Sequence, residues 1–299
     1  MKSLNNYISG GFFNNIGAGE KAKEELLDEI IDWICKHDNI TGNPIRDTYK
    51  HLLTIGDDGK IHYSASSSVI ISIYISNKDT IPDNIYFGDD ICLEVKFDGV
   101  GFDELYEWGK ILPRHIMKME IYNMYVKNWD WMSTVKNIEV FVVVNSTLPS
   151  NGFTGFDATI GHGIRIQKCN IKNLNEFPEI RKDAGVCIID CVYLEDISGL
   201  AEKNKKFAYF AMTKCRKVKN IGDLSDITLD NYLYIGASAV KLAIKGEGKL
   251  FKNVRNSVSV HDIPGSGTKL KEVESFFNSL YPRARVILNS WKEQNIYII

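Results

Sequence analysis

The sequence predicts an α/β fold in which a stack of short strands forms one parallel β-sheet, a solenoid with a cap at each end. Short strand-like runs recur about every 23 residues between residues 89 and 265. Clear amphipathic helices lie in the flanks, at residues 1–88 and 266–299. No set of residues has the spacing of a catalytic centre. These observations favour a scaffold with three segments: an N-terminal cap, a repeat region and a C-terminal cap.

The N-terminal cap is predicted to hold one helix and one hairpin. From Glu20 to His37, apolar residues recur at three- and four-residue spacing, with acidic residues early and Lys36 and His37 late, as a helix dipole favours. The following segment HLLTIGDDGKIHYSAS has two β-prone runs joined through Asp57, Asp58 and Gly59. That arrangement is typical of a β-hairpin.

The middle of the chain repeats a strand followed by a turn. The second apolar residue of each strand-like run serves as its anchor, and the anchors recur at steps of 21 to 26 residues. The anchors are Val95, Ile121, Val142, Ile166, Ile188, Met212, Ile235 and Val260. Because alternate residues of a strand face opposite sides, each anchor is expected to face the core and its neighbours to face outward.

This repeat resembles a divergent leucine-rich repeat of bacterial or phage type, whose unit reads L-x-x-L-x-L-x-x-N/C-x-L. The best matching unit supplies Ile164, Ile166, Cys169, Ile171 and Leu174. Asn145 and Cys215 occupy the N/C position of two other units. The resemblance covers roughly residues 90–265 and implies a solenoid that binds a partner protein on its concave strand face.

The outward strand positions are the candidate binding residues. Several are more apolar than a purely solvated surface needs, which favours a protein contact over a bare surface; burial under other segments, or self-association, is the competing interpretation. The predicted protein-binding residues are Glu120, Tyr122, Phe141, Val143, Arg165, Gln167, Ile189, Thr213, Tyr232, Tyr234 and His261.

The pair Cys187 and Cys191 invites a metal interpretation, which the repeat disfavours. The anchor register places Cys187 outward and Cys191 in the inward turn, beside its equivalents Cys169 and Cys215. The two sulfurs of the pair would therefore point different ways, whereas structural zinc sites use C-x2-C or C-x4-C pairs from one turn. We expect space-filling thiols, with no metal site and no cofactor.

The C-terminal cap is predicted over residues 266–299, after Pro264 and Gly265. Thr268 is the expected N-cap of a helix over TKLKEVESFFNSLY, whose apolar residues share one face. The segments RARVILNS and NIYII then have strand character. Both flanks are interpreted as caps that shield the open ends of the stack.

Composition narrows the class of partner. The net charge of −2 argues against nucleic acid and against an anionic membrane surface as partners of the whole chain. No apolar run has the length of a membrane span, and the first residues lack the apolar core of a signal peptide. We therefore predict a cytoplasmic protein with reduced thiols. Its richness in Asn, Lys and Ile is typical of an AT-rich bacterial or phage genome.

The sequence thus predicts a non-enzymatic protein-binding module, and a phage-encoded module of this kind would act on a host protein. Two alternatives stay open. One is a nucleotide-binding or enzymatic N-terminal region, suggested by the glycines and Lys21 in NNIGAGEKAKEELL, although G-x-x-x-x-G-K-[ST] is absent. The other is a β-helix that binds polysaccharide, which would carry two or three strands in each repeat rather than one.

Overall fold

Two helices and two short strands occupy the region of the predicted N-terminal cap. They are seen in a computed structural model that describes residues 16–37, 45–64, 69–81, 85–263 and 267–288. Helix α1 spans Ile16–His37, helix α2 spans Ile45–Leu52, and strands β1 (Leu53–Ile55) and β2 (Ile61–Tyr63) pair antiparallel. The predicted helix and hairpin are therefore confirmed. Because α1 begins at Ile16, the glycine-rich segment before Glu20 belongs largely to the helix itself.

The remaining strands belong to one sheet. They are β3 (Ile70–Ser76), β4 (Cys92–Asp98), β5 (His115–Tyr122), β6 (Asn137–Val144), β7 (Thr159–Gln167), β8 (Gly185–Ile189), β9 (Lys206–Thr213), β10 (Thr228–Gly236), β11 (Ser257–His261) and β12 (Arg285–Leu288). The other helices are α3 (Phe102–Ile111), α4 (Leu200–Lys203), α5 (Ala237–Ile244) and α6 (Gly267–Leu280), with a 3-10 turn at Asp130–Met132.

All ten strands of this sheet run parallel, and their order in the sheet is their order in the chain. The chain is therefore a mixed α/β protein with one large parallel sheet, as the sequence predicts. The sheet includes β3 and β12, which lie outside residues 89–265, so it extends beyond the predicted repeat segment at both ends.

The paired register gives a corrected set of anchors. Opposite one another across the sheet lie Phe97, Ile121, Val143, Ile166, Ile188, Met212, Ile235 and Val260. The steps between them are 22 to 25 residues, narrower than the range from the sequence. Two predicted anchors were wrong. Val95 faces inward but lies two residues before Phe97, which is the residue of β4 that pairs with Ile121. Val142 lies on the opposite face of the sheet from Val143.

The inward side of the sheet holds one continuous hydrophobic core. Its strand residues are almost fully buried, and they pack with residues from α1, α3, α5 and α6 in a single cluster. Aromatic rings fill the space beneath β6 and β7, where Trp129 stacks on Phe153 with centroids 5.5 Å apart and also contacts Phe141. Large aromatic side chains supply much of the buried apolar area that holds successive strands together.

A left-handed residue ends most strands of the sheet. Among β4 to β11, every strand except β10 is followed at once by a residue with φ between 50° and 66°, which turns the chain sharply toward the inward side. These residues are Gly99, Asn123, Asn145, Lys168, Asp190, Lys214 and Asp262. Glycine, Asn and Asp adopt this conformation most readily, which explains five of the seven. Strand β10 runs directly into α5 instead.

The C-terminal elements correct one detail of the predicted cap. Helix α6 begins at Gly267, so Thr268 lies in its first turn rather than at the N-cap position. The strand predicted in RARVILNS is present as β12, which pairs parallel with β11. Pro264, Gly265 and the segment NIYII lie outside the described residues.

Candidate functional site

The candidate site is the outward face of the ten-stranded sheet. We define this face by the strand residues whose side chains alternate with the inward core residues. Most of the predicted binding residues are on it, namely Glu120, Tyr122, Arg165, Gln167, Ile189, Thr213, Tyr232, Tyr234 and His261. The register places these side chains on one surface that crosses seven neighbouring strands.

Phe141 and Val143 do not belong to this face. Both are completely buried in the inward core, and Phe141 lies against Trp129 and Phe156. The error has a physical reason: the run VFVVV is apolar throughout, so no alternation of polar and apolar residues reveals which side chains face inward. The outward residues of β6 are Val140, Val142 and Val144.

No described helix covers the outward face. The buried residues of α1, α3, α5 and α6 all pack into the inward cluster. A second, small cluster lies on the outward face, and only residues from β8, β9 and β10 form it. Parallel sheets are generally covered by helices on both faces, so an uncovered face of this size is unusual.

The first part of the outward face is polar. We call it the polar patch, and it consists of Ser72, Tyr74, Glu94, Lys96, Asp98, Lys118, Glu120 and Tyr122 on β3, β4 and β5. All of them except Asp98 and Tyr122 line a shallow cavity of about 350 Å³. Most of its charges are engaged internally: Lys118 and Glu120 lie 2.9 Å apart, and Tyr74 donates a hydrogen bond of 3.0 Å to Asp98.

The ammonium of Lys96 lies between two tyrosine rings of this patch. Its Nζ is 4.4 Å from the centroid of the Tyr122 ring and 5.0 Å from that of Tyr74. A cation in this position is attracted by the electron-rich ring faces. The interaction holds three long side chains upright on neighbouring strands and so gives the polar patch a fixed shape.

The second part of the outward face is aromatic. We call it the aromatic patch, and it consists of Tyr209, Tyr232, Tyr234 and His261 on β9, β10 and β11. The rings of Tyr234 and His261 are nearly parallel, with centroids 6.4 Å apart, and Tyr232 lies 6.3 Å from Tyr234. Tyr232 is the most exposed of the four, with 37% of its surface accessible.

Small residues beneath the aromatic patch allow its rings to pack directly against the backbone of the sheet. A Cβ atom at Gly185 would come within 1.8 Å of the Tyr209 ring, so only glycine leaves room for that ring in its present position. Tyr209 in turn packs with Cys187 and Ala211, which are almost fully buried. Cys187 thus faces outward, as the sequence predicts, but the tyrosine shields it from solvent.

Burial also sets the protonation of this region. It raises the pKa of the Cys187 thiol to about 12, and it lowers the pKa of His261 below the usual histidine value. At neutral pH the thiol therefore stays protonated and the imidazole stays uncharged. A protonated, shielded thiol is a poor nucleophile and a poor metal ligand, so Cys187 is a packing residue.

The predicted column of inward cysteines is present. Cys169, Cys191 and Cys215 are buried in equivalent turns, and each sulfur donates to a backbone carbonyl of the preceding repeat, for example Cys169 to Val143 at 3.4 Å. Asn145 was assigned to this column wrongly. It is the left-handed residue before the inward position, which Ser146 fills.

All six cysteines are free thiols. Within the described residues, no cluster of three or more His, Cys, Asp or Glu side chains is arranged to hold a metal ion. Lys21, which suggested a nucleotide site, lies inside α1 and pairs with Glu25 one turn later at 3.9 Å. Across the described part of the chain, no helix has the length and apolar character needed to cross a membrane.

The sequence missed the polar patch on β3 and β4 and the ring of Tyr209. The β3 residues were missed because that strand was assigned to the N-terminal cap, whereas Glu94 and Lys96 of β4 flank the predicted anchor Val95 and follow from the same alternation. Ala211 precedes the anchor Met212 and so is expected to face outward, and Tyr209 lies two residues before it. Extending the alternation by one step would therefore have found Tyr209.

Comparison with known proteins adds no assignment: no family model, no curated protein and no solved structure matches this chain.

Proposed function

We propose that this chain is a non-enzymatic protein-binding module, a leucine-rich-repeat-like solenoid whose outward sheet face is the concave face that contacts a partner protein. In this proposal the caps are the N-terminal helix and hairpin and the C-terminal helix and strand. The module works in the cytoplasm, in keeping with its free thiols. A phage or bacterial origin, with a host protein as the partner, belongs to the same proposal.

The repeat geometry supports the solenoid. Ten parallel strands lie in chain order, and paired residues of neighbouring strands from β3 to β11 are 22 to 25 residues apart, as stacked repeat units produce. Each unit contributes one strand to the described sheet, and the return segments pair only through isolated bridges such as that between Asp196 and Asn220. A polysaccharide-binding β-helix would carry two or three strands in each turn, so this observation favours the leucine-rich-repeat form.

One observation carries the functional proposal: the outward face has no covering helix in the described chain, yet it exposes aromatic side chains. A parallel sheet normally buries both faces. Tyrosine is enriched at the centres of protein interfaces, because it combines a large apolar ring with a hydroxyl that can hydrogen-bond. Tyr232 and Tyr234 are therefore the expected anchors of the contact.

The test compares two pairs of tyrosines. In the first variant, Tyr232→Ser and Tyr234→Ser remove the exposed rings of the aromatic patch. In the control, Tyr125→Ser and Tyr193→Ser remove rings that are 59% and 48% exposed and lie in the turns after β5 and β8. Each protein is immobilised and used to capture partners from cells of the natural source, and captured proteins are identified by mass spectrometry.

We expect the partner to be captured by the wild type and the control but not by the first variant. Loss of anchor residues typically costs 2 kcal/mol or more in binding, about 30-fold in affinity. Circular dichroism must show that both variants remain folded. Equal capture by the first variant and the wild type would contradict the proposal.

A further inference from the structure

Strand β10 departs from the regular pattern of the sheet, and this departure creates a groove. The neighbouring strands β9 and β11 end in a left-handed turn at Lys214 and Asp262, whereas β10 continues into the eight-residue helix α5. The step from Ile235 to Val260 is 25 residues, within the range of the other units, so α5 replaces the usual left-handed turn without lengthening the unit. Here α5 and α6 form the two walls of the groove.

The groove has an apolar floor and a cationic rim. Its volume is about 720 Å³. The apolar lining comes from Ala237, Val240, Ile244, Ile263 and Val273. The charged lining consists of four cations, Arg216, Lys241, Lys245 and Lys269, and two anions, Asp262 and Glu272.

The excess of positive charge is only partly balanced. Arg216 lies 3.5 Å from Asp262, and Lys245 lies 3.4 Å from Glu247. Lys241 and Lys269 take part in none of the ion pairs found among the described residues, and both are exposed. Glu272, the remaining anion of the rim, takes part in none of those ion pairs either, so two unpaired lysines stand against one unpaired carboxylate. The rim therefore keeps a net positive charge for an anionic partner.

The start of α5 adds to this preference for negative charge. Gly236, Ala237 and Ser238 line the groove, so the first turn of α5 borders it. That turn contains no acidic residue, and within the described structure no side chain caps it. The partial positive charge of the helix N-terminus thus acts in the same direction as the four cations.

From this geometry we propose that the groove between α5 and α6 docks an acidic amphipathic peptide segment of a partner protein. The apolar side chains of the segment pack on Ala237 and Ile244, the half-buried apolar residues of the lining, and its carboxylates face Lys241 and Lys269. This is the arrangement in which an amphipathic segment lies in a groove with its apolar side down. The site is separate from the outward face and does not depend on the function proposed for that face.

The proposal is tested by selection from a displayed library of random 12-residue peptides against the full chain. Enriched peptides are synthesised with a fluorescent label, and their affinities are measured by fluorescence anisotropy. We expect the enriched sequences to be net acidic with apolar residues at helical spacing. Their affinity should fall about tenfold or more in the variant Lys241→Glu and Lys269→Glu, because two favourable charge contacts become repulsive.

Two controls separate charge from fold and separate this groove from the outward face. Lys182→Glu and Lys205→Glu make the same charge change at exposed positions elsewhere and should leave the affinity unchanged. Tyr232→Ser and Tyr234→Ser should also leave it unchanged. The proposal is overturned if no peptide is enriched, if the enriched peptides are neutral or basic, or if Lys241→Glu and Lys269→Glu bind them as the wild type does. Peptides lost only in the tyrosine variant would belong to the outward face, and the groove proposal would again fail.

Discussion

The two faces of the sheet are built from alternate residues of the same strands, yet they differ in organisation. The inward face is one continuous apolar core to which every long helix contributes. The outward face is divided into the polar patch on β3–β5 and the aromatic patch on β9–β11. Between them lie the valines of β6, the polar pair Arg165 and Gln167 on β7, and small or aliphatic residues on β8. The inward side chains must pack on those of the neighbouring strands, so they are apolar in every strand. The outward side chains have no such requirement, and their chemical type varies along the sheet.

The two patches also differ in how their side chains are satisfied. The charges of the polar patch are engaged with one another, so a partner gains little by replacing those contacts. The aromatic patch presents rings that rest on small residues and remain partly open to solvent. We therefore expect the aromatic patch to supply most of the affinity and the polar patch to supply orientation.

The largest predicted effect is a difference in the free energy of unfolding between an inward and an outward substitution on β6. Phe141→Ala should lower the free energy of unfolding by about 3–5 kcal/mol, because it empties a buried aromatic site. Val144→Ala, on the outward face three residues later, should change it by no more than about 1 kcal/mol. Denaturant unfolding of both variants measures the difference, and similar values for the two would contradict the inward placement of Phe141.

A second prediction concerns Gly185. Gly185→Ala should displace the Tyr209 ring, lower the free energy of unfolding by about 1–3 kcal/mol, and open Cys187 to solvent. The rate of modification by a thiol reagent should rise in this variant. The extra signal should disappear when Cys187→Ser is added. An unchanged modification rate would show that Tyr209 does not shield the thiol.

A smaller effect tests the fixed shape of the polar patch. Lys96→Met keeps an unbranched side chain but removes the cation from between Tyr74 and Tyr122. The free energy of unfolding should fall by about 0.5–1 kcal/mol. Lys136→Met, at an exposed lysine before β6, is the matched control, and an equal change in both variants would assign no stabilising role to the tyrosine contacts.

The smallest effect lies where the hairpin meets the sheet. His62 has Asp90 at 2.7 Å from Nδ1 and Asp58 at 3.0 Å from Nε2. Partial burial lowers the pKa of His62, but the hydrogen bonds to the two carboxylates outweigh it and raise that pKa overall. The contact therefore stabilises the fold fully below the ordinary histidine pKa and is lost as the pH rises through the raised one.

The melting temperature provides the measurement. At about pH 5.5 the melting temperature of the wild type should be higher than that of His62→Gln. The difference should correspond to less than about 1 kcal/mol, because this ion pair is open to water. The difference should shrink as the pH is raised toward 9. A difference that does not depend on pH would contradict the charged state of His62.

The parallel sheet could be predicted because apolar residues alternate with polar or small ones in most strands of the sequence. In IRIQ and FAMT the inward residues Ile166 and Met212 stand between polar or small neighbours, so their register was correct. In VFVVV the alternation disappears, because the outward residues of β6 are also valines. Strand β3 was assigned to the cap because it precedes the first unit that fits the repeat. Its pairing with β4 is a tertiary contact that the local sequence does not reveal.

The aromatic patch was predicted in part for a similar reason. Tyr232, Tyr234 and His261 follow from the register alone, whereas the low position of Tyr209 depends on Gly185, twenty-four residues earlier in the chain. No local pattern links those two residues. The groove between α5 and α6 was not predicted either, because helical periodicity in eight residues is too short to distinguish from a strand.

Photo-crosslinking tests the central claim most directly. A benzophenone amino acid is placed singly at Tyr122, Tyr232, Tyr125 or Tyr193 of the full chain, which is then exposed to light in an extract of the natural source. If the outward face binds a protein partner, the same crosslinked protein will form from positions 122 and 232 and not from 125 and 193. Crosslinking from the two turn positions alone, or only between copies of this chain, would contradict the account.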